Sequence, residues 1–381
     1  MRAFLQAYVA SIMAVLRDRN ILLLVMVGPI VYSIYYPFPY SAEQVREIPV
    51  AVVDLDNSSA SRELIRLADA SPEIKVMQVL SDPYALKQAM WSNDVEGGLI
   101  IPHGFRRNIL RNESSTVIAL GNGAYFLFNR GDLFGFAGAA QTLSAKLEIK
   151  HERINSFSGI EAKQRSNPLH LELRAASNPG GGYSTYVVPA VAIAVLQQTL
   201  LLGVSMLLAT WRQTSAPFDM NVPTNRLALM LAAASFCMVN TLYYLGIVYW
   251  REDYPHMGQL GDLLVLVFVF SLTLAAWSLV IASWFRYREQ AIIHLIPTSI
   301  PTIFVAGFAW PIEAIPQPIV ALSALLPSTA AIQAFLNVDQ MGASLTQVMP
   351  EVLSLLVLLS AAIAYIVFKP KWLVVPSHRN K

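Results

Sequence analysis

The chain has 381 residues, of which 55% are hydrophobic and 14% charged, whereas a soluble globular domain carries about 25% charged residues. A formal net charge of +2 with no basic block excludes nucleic acid as a partner class, and one cysteine, Cys237, excludes an intrachain disulfide and a multi-cysteine metal site. The shortage of charge is local, because residues 184–210, 227–250, 261–285, 291–309 and 349–368 are nearly free of it while 41–182 have ordinary soluble composition.

In chain order, Phe4, Leu5, Tyr8, Val9, Ile12, Met13 and Leu16 recur at spacings of three and four, with Arg2, Gln6, Ser11 and Arg17 elsewhere around the wheel. This predicts an amphipathic helix over 1–19 lying in the membrane interface, or else a plain cytoplasmic extension of the first span. The apolar run Ile21–Tyr40 lacks a small-x-small cleavage site and ends in Tyr35-Tyr36-Pro37-Phe38-Pro39, so it reads as a retained span over 20–39 with Pro29 as a kink. A span needs about 20 apolar residues, and six windows qualify: 20–39, 184–210, 227–250, 261–285, 291–309 and 348–369. Six spans put both termini on one side. That side holds eleven Lys/Arg in its short segments, from Arg2 to Lys381, against Arg251 alone on the other, which makes the termini and the tail 370–381 cytoplasmic.

The insert 41–182 is then periplasmic or extracellular, and its fifteen Lys/Arg nearly balance sixteen Asp/Glu. Strand-like runs Pro49–Val53, Ile74–Val79, Gly98–Ile101 and Thr116–Leu120 alternate with helical stretches near 59–70, 82–92 and 103–111, predicting an α/β domain. Asn57-Ser58-Ser59 and Ser81-Asp82-Pro83 are helix starts. A long helix is expected from Phe134 to about Arg165 and a returning strand at Leu169–Arg174, before the turn Asn178-Pro179-Gly180-Gly181-Gly182. Asp54-x-Asp56-x-Ser58 fits strand-end and helix-cap chemistry better than a cation loop, so no metal ligands are assigned.

No phosphate loop, His-Glu-x-x-His, Cys-x-x-Cys or Gly-x-Ser-x-Gly occurs, and the six histidines are scattered. The chain therefore reads as a non-enzyme that does not itself hydrolyse ATP. Inside the spans, Gln197, Gln198, Asn240 and Thr241 are candidates to line a path, or alternatively to hydrogen-bond helix to helix. Asp262 and Glu351 fall at span ends, which argues against ion-coupled transport. Trp310-Pro311-Ile312-Glu313-Ala314-Ile315-Pro316 leads into apolar Ile319–Leu326 and Pro327, too short to cross. A re-entrant helix between the fifth and sixth spans fits, with Trp310, Pro311, Glu313, Pro316 and Pro327 as an outer gate.

With these pieces in place the sequence resembles the type-2 permeases of ATP-binding-cassette (ABC) transporters, in the efflux branch with a large domain between the first two membrane helices. The resemblance runs nearly end to end. It is carried by Val50-Ala51-Val52-Val53-Asp54-Leu55-Asp56-Asn57-Ser58 with Ser61-Arg62, Gly98-Leu99-Ile100-Ile101-Pro102 with Gly104-Phe105, Asn178-Pro179 before Val187-Val188-Pro189, and Gly307 with Trp310–Pro316 and Leu326-Pro327-Ser328-Thr329. It implies an α-helical integral membrane protein of the inner membrane, with six transmembrane helices, an amphipathic interfacial helix and an inserted extracytoplasmic α/β domain.

The resemblance also implies a second permease, as homodimer or paralogous heterodimer, and separate cytoplasmic ATPases carrying ATP and Mg. It implies export of amphiphiles, drugs, lipids or polymers, with a periplasmic adaptor and an outer-membrane channel as further partners. Docking on the ATPase would fall to the first helix and the inner loops, with Arg17, Arg19, Arg212, Asp219, Arg286, Arg288 and Glu289 as coupling residues. Many relatives carry Glu-x-Gly-Thr after the second helix where this chain reads Trp211-Arg212-Gln213-Thr214-Ser215-Ala216-Pro217-Phe218-Asp219, which casts it as the weaker half of a heterodimer. The competing expectation is a membrane-anchored receptor or assembly protein whose outer domain binds a ligand without transport.

Overall fold

A computed structural model describes residues 2–41, 45–111, 113–123, 125–154, 178, 182–310, 312–369 and 372. The chain divides into two compact units, one of Met1–Glu43 with Ala175–Lys381 and the other of Gln44–Arg174. The first unit begins with α1 (Arg2–Arg17) and α2 (Arg19–Tyr40). Between them Asp18 is extended, and its carboxylate accepts from the amides of Asn20 and Ile21, the N-cap that starts a new helix. The face of α1 that enters the protein is Ala7, Ser11 and Val15, whereas Leu5, Val9, Met13 and Leu16 stay exposed. Of the apolar stripe read from sequence, Phe4, Tyr8 and Ile12 are half-buried and the rest exposed, and the residues that enter the protein are smaller ones beside it. A π turn at Leu23–Val27 precedes Pro29 in α2, an interruption of the kind that bends helices.

The second unit is a four-stranded sheet of β1 (Ile48–Asp54), β2 (Ile74–Leu80), β3 (Gly97–Ile101) and β4 (Ile118–Gly121) in the order β2-β1-β3-β4. β1 runs parallel to both neighbours, and β4 is antiparallel to β3. Side chains alternate across a strand, so Val50 and Val52 face one core with Leu64, Ala68, Phe136, Ala139 and Leu143. Ala51 and Val53 face the other, with Leu86, Ala89 and Val95. Apart from Val95, in the turn before β3, these residues come from α3 (Ser59–Asp69), α4 (Pro83–Trp91) and α6 (Phe126–Ile154), with the short α5 (Phe105–Leu110) after β3. Ser58 and Ser61 cap α3 reciprocally and Asp82 caps α4. The strand expected at Leu169–Arg174, and the stretch of long helix beyond Ile154, lie outside the described residues.

The chain re-enters the first unit at α7 (Tyr183–Gln213), followed by α8 (Pro223–Arg251) and α9 (Leu260–Ala282). Over the span expected at 291–309 lie α10 (Arg288–Leu295), a 3-10 turn Ile296–Thr298 and α11 (Ser299–Val305). Pro297 and Pro301 remove ladder hydrogen bonds there. α12 (Gln317–Ser323) and α13 (Pro327–Gln340) meet at 88°, and α14 (Met349–Phe368) closes the unit. Five helices (α2, α7, α8, α9 and α14) are long and apolar enough to cross a membrane, and the bent pair makes a sixth if it counts as one broken span. α7 is the central post: 83% of its apolar window is buried, against 28% for α2 and for α14. It approaches α2 closely at Gly203, where a Cβ would stand 2.2 Å from Val25 Cγ2. The chain leaves for the insert at Tyr40 and returns at Tyr183, with ring centroids 5.0 Å apart.

Candidate functional site

Proline at position 29 has no N–H to offer the carbonyl four residues before it, and that carbonyl belongs to Val25. Asn240 Nδ2, from the buried side of α8, donates to Val25 O at 2.9 Å and to Phe236 O at 2.9 Å. Further along the same seam Tyr244 Oη donates to Pro29 O at 2.7 Å, Ser33 Oγ and Tyr243 Oη are 2.9 Å apart, and Arg251 Nη2 donates to Ser33 O at 2.7 Å. Tyr8 of α1 meets Ser235 at 2.8 Å. Thr241 Oγ1 bonds back to Cys237 O at 2.8 Å within its own helix. Polar groups that lipid could not satisfy are therefore used as rungs between α1–α2 and α8.

Midway along α7, two adjacent glutamines reach to two interrupted helices. Gln197 Oε1 accepts from the Ser328 amide at 2.8 Å, one of the amides that the first turn of α13 leaves without an intrahelical acceptor. Gln198 Nε2 donates to Leu295 O, at the end of α10. Beside the first contact, Ser328 Oγ and Thr329 Oγ1 are buried with no hydrogen-bond partner among the described residues. Gln333 Nε2 donates to Ala306 O at 3.0 Å and Tyr186 Oη to Phe308 O, so the turn after α11 is held by α13 and α7. At the far end of α13, Gln340 Nε2 donates to Thr185 O at 2.8 Å, and Asp339, 2% exposed, pairs with His256 at 2.8 Å.

Of the expected outer gate, Trp310 and Pro316 are exposed and Pro327 is buried at the first position of α13. Glu313 lies in the 3-10 turn Ile312–Ala314, and Pro311 lies outside the described residues.

Helix ends leave carbonyls unpaired, and two arginines collect them. Arg212 donates to Ala282 O at 3.3 Å and Ser283 O at 2.8 Å, where α9 ends. Arg226, 1% exposed, donates to Ile366 O at 2.7 Å and Lys369 O at 2.9 Å, where α14 ends. Its guanidinium also takes Met220 O and Asn221 O and lies 5.3 Å from the Trp372 ring centroid. Lys369 Nζ completes the knot with Tyr365 Oη at 2.7 Å and Ser283 Oγ at 2.9 Å. Arg288 is tied to Asp18 at 2.5 Å. Gln290 Oε1 accepts from the amides of Arg286 and Tyr287 and so starts α10.

Among the seven expected coupling residues, Arg17, Arg19, Asp219, Arg286 and Glu289 present exposed side chains, while Arg212 and Arg288 are committed to internal contacts. Sequence reasoning missed Asp18, Arg226 and Asp339 as structural elements. Asp18 carried a signal, an N-cap residue flanked by two arginines; Arg226 and Asp339 find their partners about 140 and 80 residues away, which no local pattern encodes. No group of three or more His, Cys, Asp or Glu that could hold a metal stands among the described residues.

The model of a family described as ABC-2 family transporter protein matches residues 19–368. The probable multidrug ABC transporter permease YbhR of Escherichia coli strain K12 is 22% identical over 315 residues, covering 80% of this chain and 81% of that protein. The protein of the same name from Escherichia coli O157:H7 matches to the same extent.

Proposed function

The chain belongs to the ABC-2 family of transporter proteins, and we propose that it is the membrane subunit of an ATP-driven exporter of amphiphilic or drug-like substrates, lipids or polymers. The observation that carries this reading is the pair Gln197 and Gln198, through which one central span holds two helix breaks at once. Interrupted backbone midway along a span is tolerated only where protein covers it or a cavity lines it, and such breaks are where membrane transporters place moving parts. Separate cytoplasmic ATPases bearing ATP and Mg would drive the rearrangement, since this chain has no phosphate loop. A second permease, identical or paralogous, would complete the path.

In this reading the termini and the Arg212–Arg226 knot face the cytoplasm, and the unit Gln44–Arg174 stands in the periplasm, where an adaptor and an outer-membrane channel would meet it. The name of the Escherichia coli relative, a probable multidrug permease, favours drug-like amphiphiles within that substrate range. Five or six apolar helices stitched by buried polar rungs exceed what an anchored receptor needs.

The test is efflux of a cationic amphiphilic dye from cells expressing this chain with its ATPase. Efflux is expected with the intact ATPase and lost with a hydrolysis-dead one. Efflux equal in both, or no ATPase recovered with the purified chain, would overturn the reading.

A further inference from the structure

In open α/β sheets the crevice outside the carboxyl ends of the strands, where strand order reverses, is where ligands bind. Here the reversal falls between β1 and β3, since the chain passes from β1 to β2 on one side and then to β3 on the other. At that place lies an open cleft of about 480 Å³, lined by Asp56, Ser58, Arg106, Arg107, Leu110 and Arg111, within the size range of small-molecule sites.

The charge in this cleft is unbalanced. Asp56 is already committed: its oxygens accept from the amides of Gly104 at 2.9 Å and Arg106 at 3.0 Å. Burial opposes its charge, but these bonds with those from Ser58 and Phe105 outweigh burial and hold the carboxyl below its ordinary range. It fixes the wall of the cleft, and its single negative charge against three guanidinium groups leaves a positive surplus. Arg107 and Arg111, one helical turn apart, repel each other. None of Arg106, Arg107 and Arg111 has a side-chain hydrogen bond or ion pair among the described residues, whereas Arg66 and Lys146 of the same unit both reach Glu63 and Lys75 reaches Glu47. Arg107 turns back over the loop, its Nη2 placed 3.0 Å from where a Cβ on Gly104 would stand. Beside the three cations Leu110 is 73% exposed.

We propose that this cleft binds a phosphate-bearing ligand, the guanidinium forks of Arg106, Arg107 and Arg111 taking the phosphate oxygens. Planar forks match phosphate geometry in a way that single ammonium groups do not, and a bound dianion relieves the repulsion that the fold leaves standing. Leu110 gives an apolar contact at the rim for a substituent on the phosphate. The site is independent of the transport reading, because it rests only on residues of the α/β unit.

The test titrates the full-length protein in a nonionic detergent, by calorimetry, with pyrophosphate, dihexanoyl phosphatidate, dihexanoyl phosphatidylcholine and hexaglutamate. Saturable binding of pyrophosphate and phosphatidate is expected, with none for phosphatidylcholine. Arg107→Gln combined with Arg111→Gln weakens it at least tenfold, the corresponding lysine pair weakens it less, and Arg66→Gln leaves it unchanged. Phosphatidate tenfold tighter than pyrophosphate identifies a lipid headgroup as the source, and equal affinities identify a free phosphate compound. No saturable binding, binding indifferent to the glutamine pair, or preference for hexaglutamate over both phosphates overturns the proposal.

Discussion

Arg288 Nη2 stands 2.5 Å from Asp18 Oδ2, so the joint between α1 and α2 is bonded to the start of α10 across 270 residues of chain. Asp18 serves twice, because the same carboxylate caps the first amides of α2. Breaking the pair loosens the element that the proposed motor would push. Asp18→Asn or Arg288→Gln is expected to cost about 1 kcal/mol of stability and to lower ATP-driven efflux severalfold. The swapped pair Asp18→Arg with Arg288→Asp recovers part of the efflux, measured as a double-mutant cycle on dye export.

Arg286 separates docking from scaffolding, since its side chain is exposed while that of Arg288 is not free. Arg286→Glu is expected to reduce the ATPase recovered with the purified permease more than Arg62→Glu in the α/β unit does. Equal recovery from both variants removes Arg286 from the interface.

Asn240→Leu leaves the Val25 carbonyl buried and unpaired, which costs about 1–3 kcal/mol. Pro29→Ala restores a backbone amide in the α register and is expected to rescue the Asn240→Leu variant, although alone it changes little. Thermal unfolding in detergent of the two single variants and the double one reads this directly. An additive double variant refutes the link.

Gln197→Leu removes the acceptor of the Ser328 amide without touching any surface residue. Efflux is expected to fall at least tenfold while recovery of the ATPase stays unchanged. Loss of both in parallel would mean the residue serves folding alone.

Asp132 of α6 is fully buried, its Oδ1 accepting from Leu133 N at 2.7 Å and its Oδ2 without a partner. Burial, with Glu96 adding to it, pushes the carboxyl from 3.8 up to about 6. A raised carboxyl value means the fold prefers the protonated form, so the contribution is fully present below about pH 4 and is lost as pH rises through 6. Between pH 5 and 7.5 the α/β unit should lose about 1 kcal/mol from this group. Hydrogen exchange of β3 and β4, corrected for intrinsic rate, should show that loss in the natural chain and not in Asp132→Asn.

The α/β unit was legible because its signals are local: alternation in Val50–Val53, the Ser58 and Asp82 caps, and Pro83 at a helix start all act within a few residues. The five long apolar helices, one before the insert and four after it, were equally plain. The stretch 291–309 is helical over most of its length, but its 3-10 turn at Ile296–Thr298 was not legible, because apolar length counts residues without asking whether Pro297 and Pro301 let the ladder close. The roles of Gln197, Gln198 and Asn240 were open from sequence, since an amide inside a span is compatible with a path or a seam. The partner decides, and Ser328, Leu295 and Val25 lie far off along the chain. Arg212 looked like a loop residue available to a partner for the same reason.

The knot at Arg212 and Arg226 also fixes an order in time. Arg226 is synthesised 140 residues before Ile366, and Arg212 160 residues before Trp372. Until α14 has emerged, Arg226 has no carbonyl of that helix to hold, and Arg212 lacks its contact with Trp372. Residues made long after those helices were inserted therefore complete their closure, which makes the emergence of α14 the step at which this end of the unit locks.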